Sequence, residues 1–236
     1  MRQEAYFCTV KELDELGKNN IPRQLISHTH LIYSSPATLA FNSPGAEGFG
    51  VKRAGLAVPD SVMLIVSPGC CGRNTSVLSS MRAYQDRFYY LLMDETDIVT
   101  GRHLKKIPKA VVEICEGLKK KPSVVMICIT CVDALLGTDM ERVCHKAEEY
   151  AGVPVRPCYM YALTREGRKP PMVHVRQSVY SLLEPKKKKG NVVNLLGYFS
   201  PLTDDCELYD LLHGAGVKTI HEISRCKDYA QYQTMS

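Results

Sequence analysis

The chain has 236 residues, a net charge of +5 at pH 7, 45% hydrophobic and 23% charged residues, all ordinary values for a globular protein. No run of the sequence reaches the roughly 18 apolar residues of a membrane helix, and the polar start MRQEAYFC lacks the form of a signal peptide. The positive charge is not interleaved with aromatic residues in the manner of a nucleic-acid surface. We therefore expect a cytoplasmic protein with neither a membrane nor a nucleic-acid partner.

The first part of the chain divides into an irregular segment and a regular α/β unit. Prolines at positions 22, 36 and 44 break any long element within residues 1–45. From there to residue 185, short apolar runs alternate with amphipathic stretches, a pattern typical of a Rossmann-like open parallel sheet flanked by helices. The predicted strands are 61–66, 88–93, 123–129 and 153–159, and the predicted helices are about 72–84, 103–119, 138–151 and 172–183.

After this unit, residues 186–190 read as a basic linker, and the α/β pattern starts again at residues 191–236. We predict strands at 191–197 and 217–223, with a helix at 204–216 that Asp204 caps. Two strands and one helix make an incomplete second Rossmann-like domain, because so small a sheet leaves its faces uncovered. We therefore expect a fragment, or a protein that another chain completes.

The cysteines carry the clearest sign of chemistry. Cys70 and Cys71 follow the first predicted strand, and Cys128 and Cys131 lie at the end of the third. Parallel strands deliver their following loops to one edge of a sheet, so these sulfur atoms are predicted to share a rim. Each loop leads into a predicted helix, whose first amides and dipole favour the thiolate form that soft metals require.

Spacing leaves the identity of the site open. Four sulfur atoms are suited to an iron–sulfur cluster or to a structural zinc ion, and the CITC segment alone could be a thiol–disulfide pair. Cys128 lies on a strand and has an alternative interpretation as a core residue. Three further cysteines fall within predicted helices and are interpreted as small buried hydrophobic side chains: Cys115, Cys144 and Cys206.

Three segments, SPGCCG, ETDIVTG and CVDALLGTD, together resemble in order and separation the motifs of the nitrogenase component 1 type oxidoreductase family. The resemblance covers about Gly45 to the C-terminus. It implies that Cys71 and Cys131 are ligands of an iron–sulfur cluster. Cys70 occupies a position where the family usually has glycine, which leaves its role as a ligand open. Val132 stands where the family usually has proline. Cys70 and Cys128 are additional candidate ligands.

The resemblance also implies a function. We expect an oxidoreductase subunit that relays electrons through a cluster of four or more irons and pairs with a homologous component 1 subunit. Electrons would arrive from an ATP-dependent iron–sulfur reductase protein, and this chain alone would be inactive. The alternative is a non-catalytic scaffold or assembly module that holds a cluster or zinc without transferring electrons.

One departure from the family pattern bears on the cluster. Complete family sites have a further cysteine upstream of Cys71, which would fall within residues 43–47, and no cysteine is there. Cys70, Cys128 or Glu47 could complete the ligand set, a partner subunit could supply the rest, or the cluster could be lost. The family's habit of building clusters at subunit interfaces favours the partner. The histidines are interpreted as surface or core residues: His28, His30, His103, His145, His174, His213 and His221.

Overall fold

The computed structural model describes residues 9–17, 20, 54–69, 84–159, 171–185, 191–196, 199 and 201–235. Residues 1–41 and 42–236 form separate compact units. In the first, helix α1 (Val10–Leu16) begins with a capping box between Thr9 and Glu12. The strands of the second unit are β1 (Val62–Ser67), β2 (Phe88–Leu92), β3 (Val125–Ile129), β4 (Val155–Tyr159), β5 (Val192–Leu195) and β6 (Thr219–Glu222).

The helices of the second unit lie between and after these strands. Two short helices follow β2 and β3, and a short helix lies near the end of the chain. The described helices are α2 (Glu95–Thr100), α3 (His103–Gly117), α4 (Cys131–Leu135), α5 (Met140–Ala151), α6 (Pro171–Tyr180), α7 (Glu207–Gly214) and α8 (Tyr229–Gln233).

Four strands form one parallel sheet in the order β2-β1-β3-β4. The predicted α/β class, an open parallel sheet flanked by helices, is confirmed. The four predicted strands of this sheet agree with the observed ones to within a few residues. The two central strands, β1 and β3, are nearly continuous apolar runs that are buried along their whole length, as central parallel strands require. Among the residues described, no helix is long and apolar enough to cross a membrane.

The two faces of the sheet bury separate apolar clusters, since successive strand residues point to opposite sides. Leu64 and Val66 of β1 pack with Ile107 of α3 and with residues of α5. Met63 and Ile65 face the other way and pack with α6 and the C-terminal residues. All six residues of β1 are buried, so this strand is the centre of the molecule.

The second sheet is a parallel pair, β5-β6, with α7 between its strands in sequence. Helix α8, which the sequence did not predict, places Tyr232 in the same apolar cluster as Met63 and Val179. The Tyr232 hydroxyl donates a hydrogen bond to the carbonyl of Val179 at 2.5 Å. The C-terminal residues are therefore part of the core of the main sheet. The domain boundaries at residues 45, 185 and 190 stay predictions.

One predicted helix cap is wrong. Helix α7 begins after Cys206, whose side chain makes no capping hydrogen bond, whereas Asp204 was expected in this role. The carboxylate of Asp204 instead accepts a hydrogen bond from Arg225 Nη2 at 2.7 Å. Asp204 lies two residues before the N-cap position, which Cys206 occupies, so its carboxylate is not placed to accept from the first amides of α7.

Candidate functional site

The strand order places a switch point between β1 and β3. After β1 the chain moves outward to β2, and it then crosses back to lay β3 on the other side of β1. In open α/β sheets, ligands bind in the crevice outside the carboxyl ends of the two strands that flank such a switch. Cys70 and Cys71 follow this end of β1 in sequence, and Cys131 is the first residue of α4, directly beyond β3.

The structure describes only part of the predicted ligand set. Cys70 and Cys71 lie outside the described residues, and for Cys131 only the backbone is described. The convergence of their side chains stays a prediction. Cys128 is fully buried in β3, beside Cys158 of β4, in the apolar cluster that contains Met63.

Two buried hydroxyl groups lie at the carboxyl ends of the strands that flank the switch point. Ser67 is the last residue of β1 and Thr130 directly follows β3. Both residues are 0% exposed. Within the described part of the chain, neither Ser67 Oγ nor Thr130 Oγ1 has a hydrogen-bond partner. An unsatisfied buried polar group costs about 1–3 kcal/mol, so the pair requires an explanation.

The next feature of this rim is a buried histidine that joins two of the sequence motifs. His103, the first residue of α3, lies between α2 and α4. Its Nδ1 is 2.9 Å from the carbonyl oxygen of Asp97, and its Nε2 is 2.9 Å from Asp133 Oδ1. Because a carbonyl oxygen only accepts, the Nδ1 atom carries a proton. The His103 side chain is 1% exposed and that of Asp133 is 0% exposed.

Asp133, two residues after Cys131, makes further contacts with Thr138. The Thr138 hydroxyl donates to Asp133 Oδ1 at 3.2 Å, and the Thr138 backbone N–H donates to the Asp133 carbonyl. The other carboxylate oxygen, Oδ2, is buried and has no hydrogen-bond partner among the described residues. The polar contacts around His103 and Thr138 therefore fix the helix that begins with Cys131.

Asp97 makes several hydrogen bonds within and beside the ETDIVTG segment, residues 95–101. Asp94 and Asp97 form a capping box at the start of α2, and Gly101 ends the helix with a φ of 65° in the left-handed region. The Asp97 carboxylate accepts hydrogen bonds from Lys106 Nζ and Arg102 Nε, both at 2.7 Å. The bonds from Lys106 and then Arg102 hold the pKa of Asp97 well below its usual range.

Replacing Asp97 with asparagine is expected to flatten the acid limb of the stability curve. The lowered pKa means that folding favours the carboxylate, so this stabilisation is complete above the unfolded-state pKa of about 3.9 and is lost as the pH falls below it. The urea midpoint measured from pH 7 to pH 2 should fall more steeply for the wild type than for Asp97→Asn. Parallel curves would contradict the assignment, and Asp205→Asn, at an exposed position, should follow the wild type.

Sequence reasoning missed the role of His103. It was interpreted as a surface or core residue, and it is a core residue, but its two contacts lie 6 and 30 residues away in sequence. The first six residues of the ETDIVTG segment form helix α2, and Asp97 takes part in the capping box at its start.

The three cysteines predicted as small hydrophobic side chains differ in detail. Cys144 is buried in α5, where burial raises the pKa of its thiol. Cys115 in α3 is half-buried, with its pKa also raised by burial. Cys206 is half-buried and precedes α7 rather than lying within it. None of these thiols lies at the rim between β1 and β3.

One cleft among the described residues lies away from the rim. It has a volume of about 880 Å³ and lies along the edge strand β4, between α5 and α6. Its lining mixes both charges, and Arg156 pairs there with Glu148 at 2.5 Å. Such a mixed lining contains no converging set of soft ligands, so the cleft is not the site that the cysteines predict.

The rim provides a chemically consistent setting for an iron–sulfur cluster. Among the described side chains, no group of three or more His, Cys, Asp or Glu residues could hold a metal. The predicted ligands are Cys71 and Cys131, which follow β1 and β3 in sequence. Buried hydroxyl groups at the ends of those strands fit such a group, because cluster sulfur atoms accept hydrogen bonds.

Fold and strand order together define a Rossmann-like α/β protein with cysteines in sequence shortly after the two strands that flank its switch point. Residues 47–236 match the family described as nitrogenase component 1 type oxidoreductase. The chain belongs to this family. The matched range agrees with the resemblance seen in the three sequence motifs, which extends from about Gly45.

Curated relatives carry the description nitrogenase iron-molybdenum cofactor biosynthesis protein NifE. The protein from Rhizobium meliloti (strain 1021) is 28% identical over 176 residues, which are 72% of this chain and 37% of that protein. The protein from Klebsiella pneumoniae is 26% identical over 213 residues, which are 81% of this chain and 46% of that protein. The chain thus spans less than half the length of either. Because these relatives are described as cofactor biosynthesis proteins, they support the scaffold alternative better than the electron relay.

Solved structures share the fold. The structure described as nitrogenase Cp1 at pH 5 aligns with a TM-score of 0.60 and 18% identity, over 88% of this chain and 42% of that chain. The one described as nitrogenase Cp1 at pH 6.5 aligns with a TM-score of 0.57 and 19% identity, over 77% and 40%.

Proposed function

We propose that this chain is a scaffold subunit that holds an iron–sulfur cluster for cofactor assembly and does not itself reduce a substrate. The observation that carries the proposal is the switch point, because Cys71 and Cys131 follow in sequence the two neighbouring strands, β1 and β3, that flank it. The biosynthesis descriptions of the relatives favour assembly over electron relay.

The ligand count favours a cluster shared between subunits. An iron–sulfur cluster is usually held by about four thiolates. Cys71 and Cys131 supply two, so two copies of this chain would supply the full set. Cys70 is the first substitute within the same loop. Cys128 is a weaker candidate, because it is fully buried in β3 among apolar residues. Glu47 lies outside the described residues and remains the oxygen-donor alternative.

Exposed apolar side chains beside the rim support a partner subunit. Helix α2 carries Val99, which is 85% exposed, and the segment that begins with α4 carries Leu135 and Leu136 at 70% and 49% exposure. The His103 contacts tie these two elements together. Large exposed apolar groups in the same region of a globular protein mark interaction surfaces, so a second subunit is proposed to cover this end of the sheet.

The protein's own contribution would be to orient and bury the bound group. The iron and sulfide supply the redox chemistry, while thiolates, hydroxyl donors and burial tune it. An electron relay would in addition require reduction by an ATP-dependent iron–sulfur protein. Under the scaffold proposal, adding such a reductase and ATP produces no sustained substrate turnover by this chain.

Cluster loading tests the proposal. The full chain, reconstituted anaerobically with iron(II) and sulfide, is expected to turn brown and to bind about four irons per pair of chains. Cys71→Ala and Cys131→Ala should each abolish the sulfur-to-iron absorption. Cys144→Ala is the matched control, since its thiol is buried in α5 away from the rim, and it should load like the wild type.

Three outcomes would count against the proposal. A colourless protein with stoichiometric zinc would indicate a structural metal site. Equal loss of the chromophore in Cys144→Ala would contradict the ligand assignment. A loaded protein that is a monomer by light scattering would exclude a cluster shared between two copies and would point to ligands within one chain.

A further inference from the structure

We propose that the hydroxyl groups of Ser67 and Thr130 donate hydrogen bonds to sulfur atoms of the cluster that Cys71 and Cys131 hold. This inference rests on the proposed function and adds two specific residues to its site. It assigns a binding role to two hydroxyl groups that were not among the predicted site residues.

The two hydroxyls lie side by side. Val66 of β1 is in register with Ile129 of β3, so the following residues, Ser67 and Thr130, are neighbours across strands that run about 4.8 Å apart. Alternation along β1 puts Ser67 on the same sheet face as Ile65, and Cys128, which is paired with Ile65, lies on that face too. The pair therefore occupies one face at the carboxyl end of the central strands.

Ser67 and Thr130 lie close in sequence to the proposed ligands Cys71 and Cys131. Thr130 immediately precedes Cys131, and Ser67, the last residue of β1, is also the first residue of the SPGCCG segment that contains Cys71. Any group held by both cysteines would lie beyond the ends of the strands that Ser67 and Thr130 terminate.

Their lack of partners is unusual for buried hydroxyls in this protein. Ser178, on α6, is also buried, and its hydroxyl donates to the carbonyl of Pro157 at 2.7 Å. Ser67 Oγ and Thr130 Oγ1 have no such acceptor in the described part of the chain. A donor that is fully buried at a ligand crevice fits an acceptor supplied by the ligand.

The chemistry predicts a direction of change. A hydrogen bond donated to cluster sulfur stabilises the reduced cluster, which carries more negative charge, and so raises its reduction potential. Removing a donor should lower the potential. If the hydroxyls make no bond to protein, removing them should leave the cluster-free protein equally stable or more stable, since an apolar group then fills the apolar site.

The experiment compares Ser67→Ala, Thr130→Val and the double variant with the wild type in anaerobic redox titrations of the reconstituted full chain. Each single variant is expected to shift the potential downward, and the double variant should shift it further. Thr130→Ser, which keeps a hydroxyl, should restore a potential near that of the wild type. Thermal unfolding of each cluster-free protein is measured in parallel, and the midpoints for Ser67→Ala and Thr130→Val should not fall.

Ser178→Ala is the matched control. It removes a buried hydroxyl that does bond to protein, so it should lower the unfolding midpoint and leave the potential unchanged. Unshifted potentials in loaded Ser67→Ala and Thr130→Val would overturn the inference while leaving the proposed function intact. A lowered unfolding midpoint in both would overturn it as well, because it would show that the hydroxyls bond to protein. A wild-type chain that takes up no cluster would overturn the proposed function, and the inference would fall with it.

Discussion

Replacing Tyr232 with alanine is expected to reduce the free energy of unfolding by about 3–5 kcal/mol, the range for truncating a large buried ring. The Tyr232 side chain is fully buried against the face of the sheet that carries Met63. Its hydroxyl also donates to the Val179 carbonyl on α6. The variant therefore loses apolar burial, a hydrogen bond and the attachment of α8 to the main sheet. Urea unfolding followed by circular dichroism measures the loss.

Two variants separate these contributions. Tyr232→Phe keeps the ring and removes only the hydroxyl, so it should cost about 1 kcal/mol. Tyr150→Ala removes a ring that is 60% exposed on α5 and should cost less than about 1 kcal/mol. If Tyr232→Ala cost no more than Tyr150→Ala, the C-terminal residues would not contribute to the core of the sheet.

The strands of the main sheet were predictable because a short segment of sequence shows by itself that a strand is buried. The run at residues 61–66 predicts a strand, and the observed β1 covers Val62–Ser67 with every residue buried. A strand covered on both faces has no polar alternation, so its sequence differs clearly from an amphipathic helix. The parallel order followed from the helices that separate these runs.

Helix α8 was not predictable from periodicity. It is a short helix whose single buried residue is Tyr232, so it shows no repeated apolar spacing. The one local signal was Asp228, whose side chain accepts a hydrogen bond from the backbone of Gln231 at 2.8 Å and caps the helix. The contact that stabilises α8 is with α6, far away in sequence, and no local pattern encodes it.

The candidate site, too, was predictable from the sequence only in part. The sequence placed cysteines at the ends of β1 and β3, and the observed strand order puts those ends at a switch point. The ligand roles of Cys70, Cys71, Cys128 and Cys131 stay predictions. Sequence gave no sign of the unpaired hydroxyls of Ser67 and Thr130, because whether a buried hydroxyl has a partner depends on neighbours from other strands.

Replacing His103 with alanine is expected to cost about 1–3 kcal/mol of folding free energy, because it leaves buried polar groups of Asp133 and Asp97 without their hydrogen-bond partner. Asp133 would keep only the hydrogen bond from Thr138 to Oδ1, and its Oδ2 already has no partner within the described chain. The Asp97 carbonyl would lose its contact with Nδ1 as well. Denaturant unfolding measures the cost, and His145→Ala is the control.

His145 is a fair comparison because it also faces a carboxylate, Glu149 at 3.3 Å, but on the exposed surface of α5. Its removal should cost between about 0 and 1 kcal/mol. Adding Asp133→Ala to His103→Ala should cost much less than the sum of the single changes, since the partner is then gone. Additive costs would mean that the two side chains do not interact.

Because Asp133 lies in the helix that Cys131 begins, His103→Ala should also lower the iron content after reconstitution, whereas His145→Ala should not. This difference would link the buried bridge to the geometry of the cysteine rim.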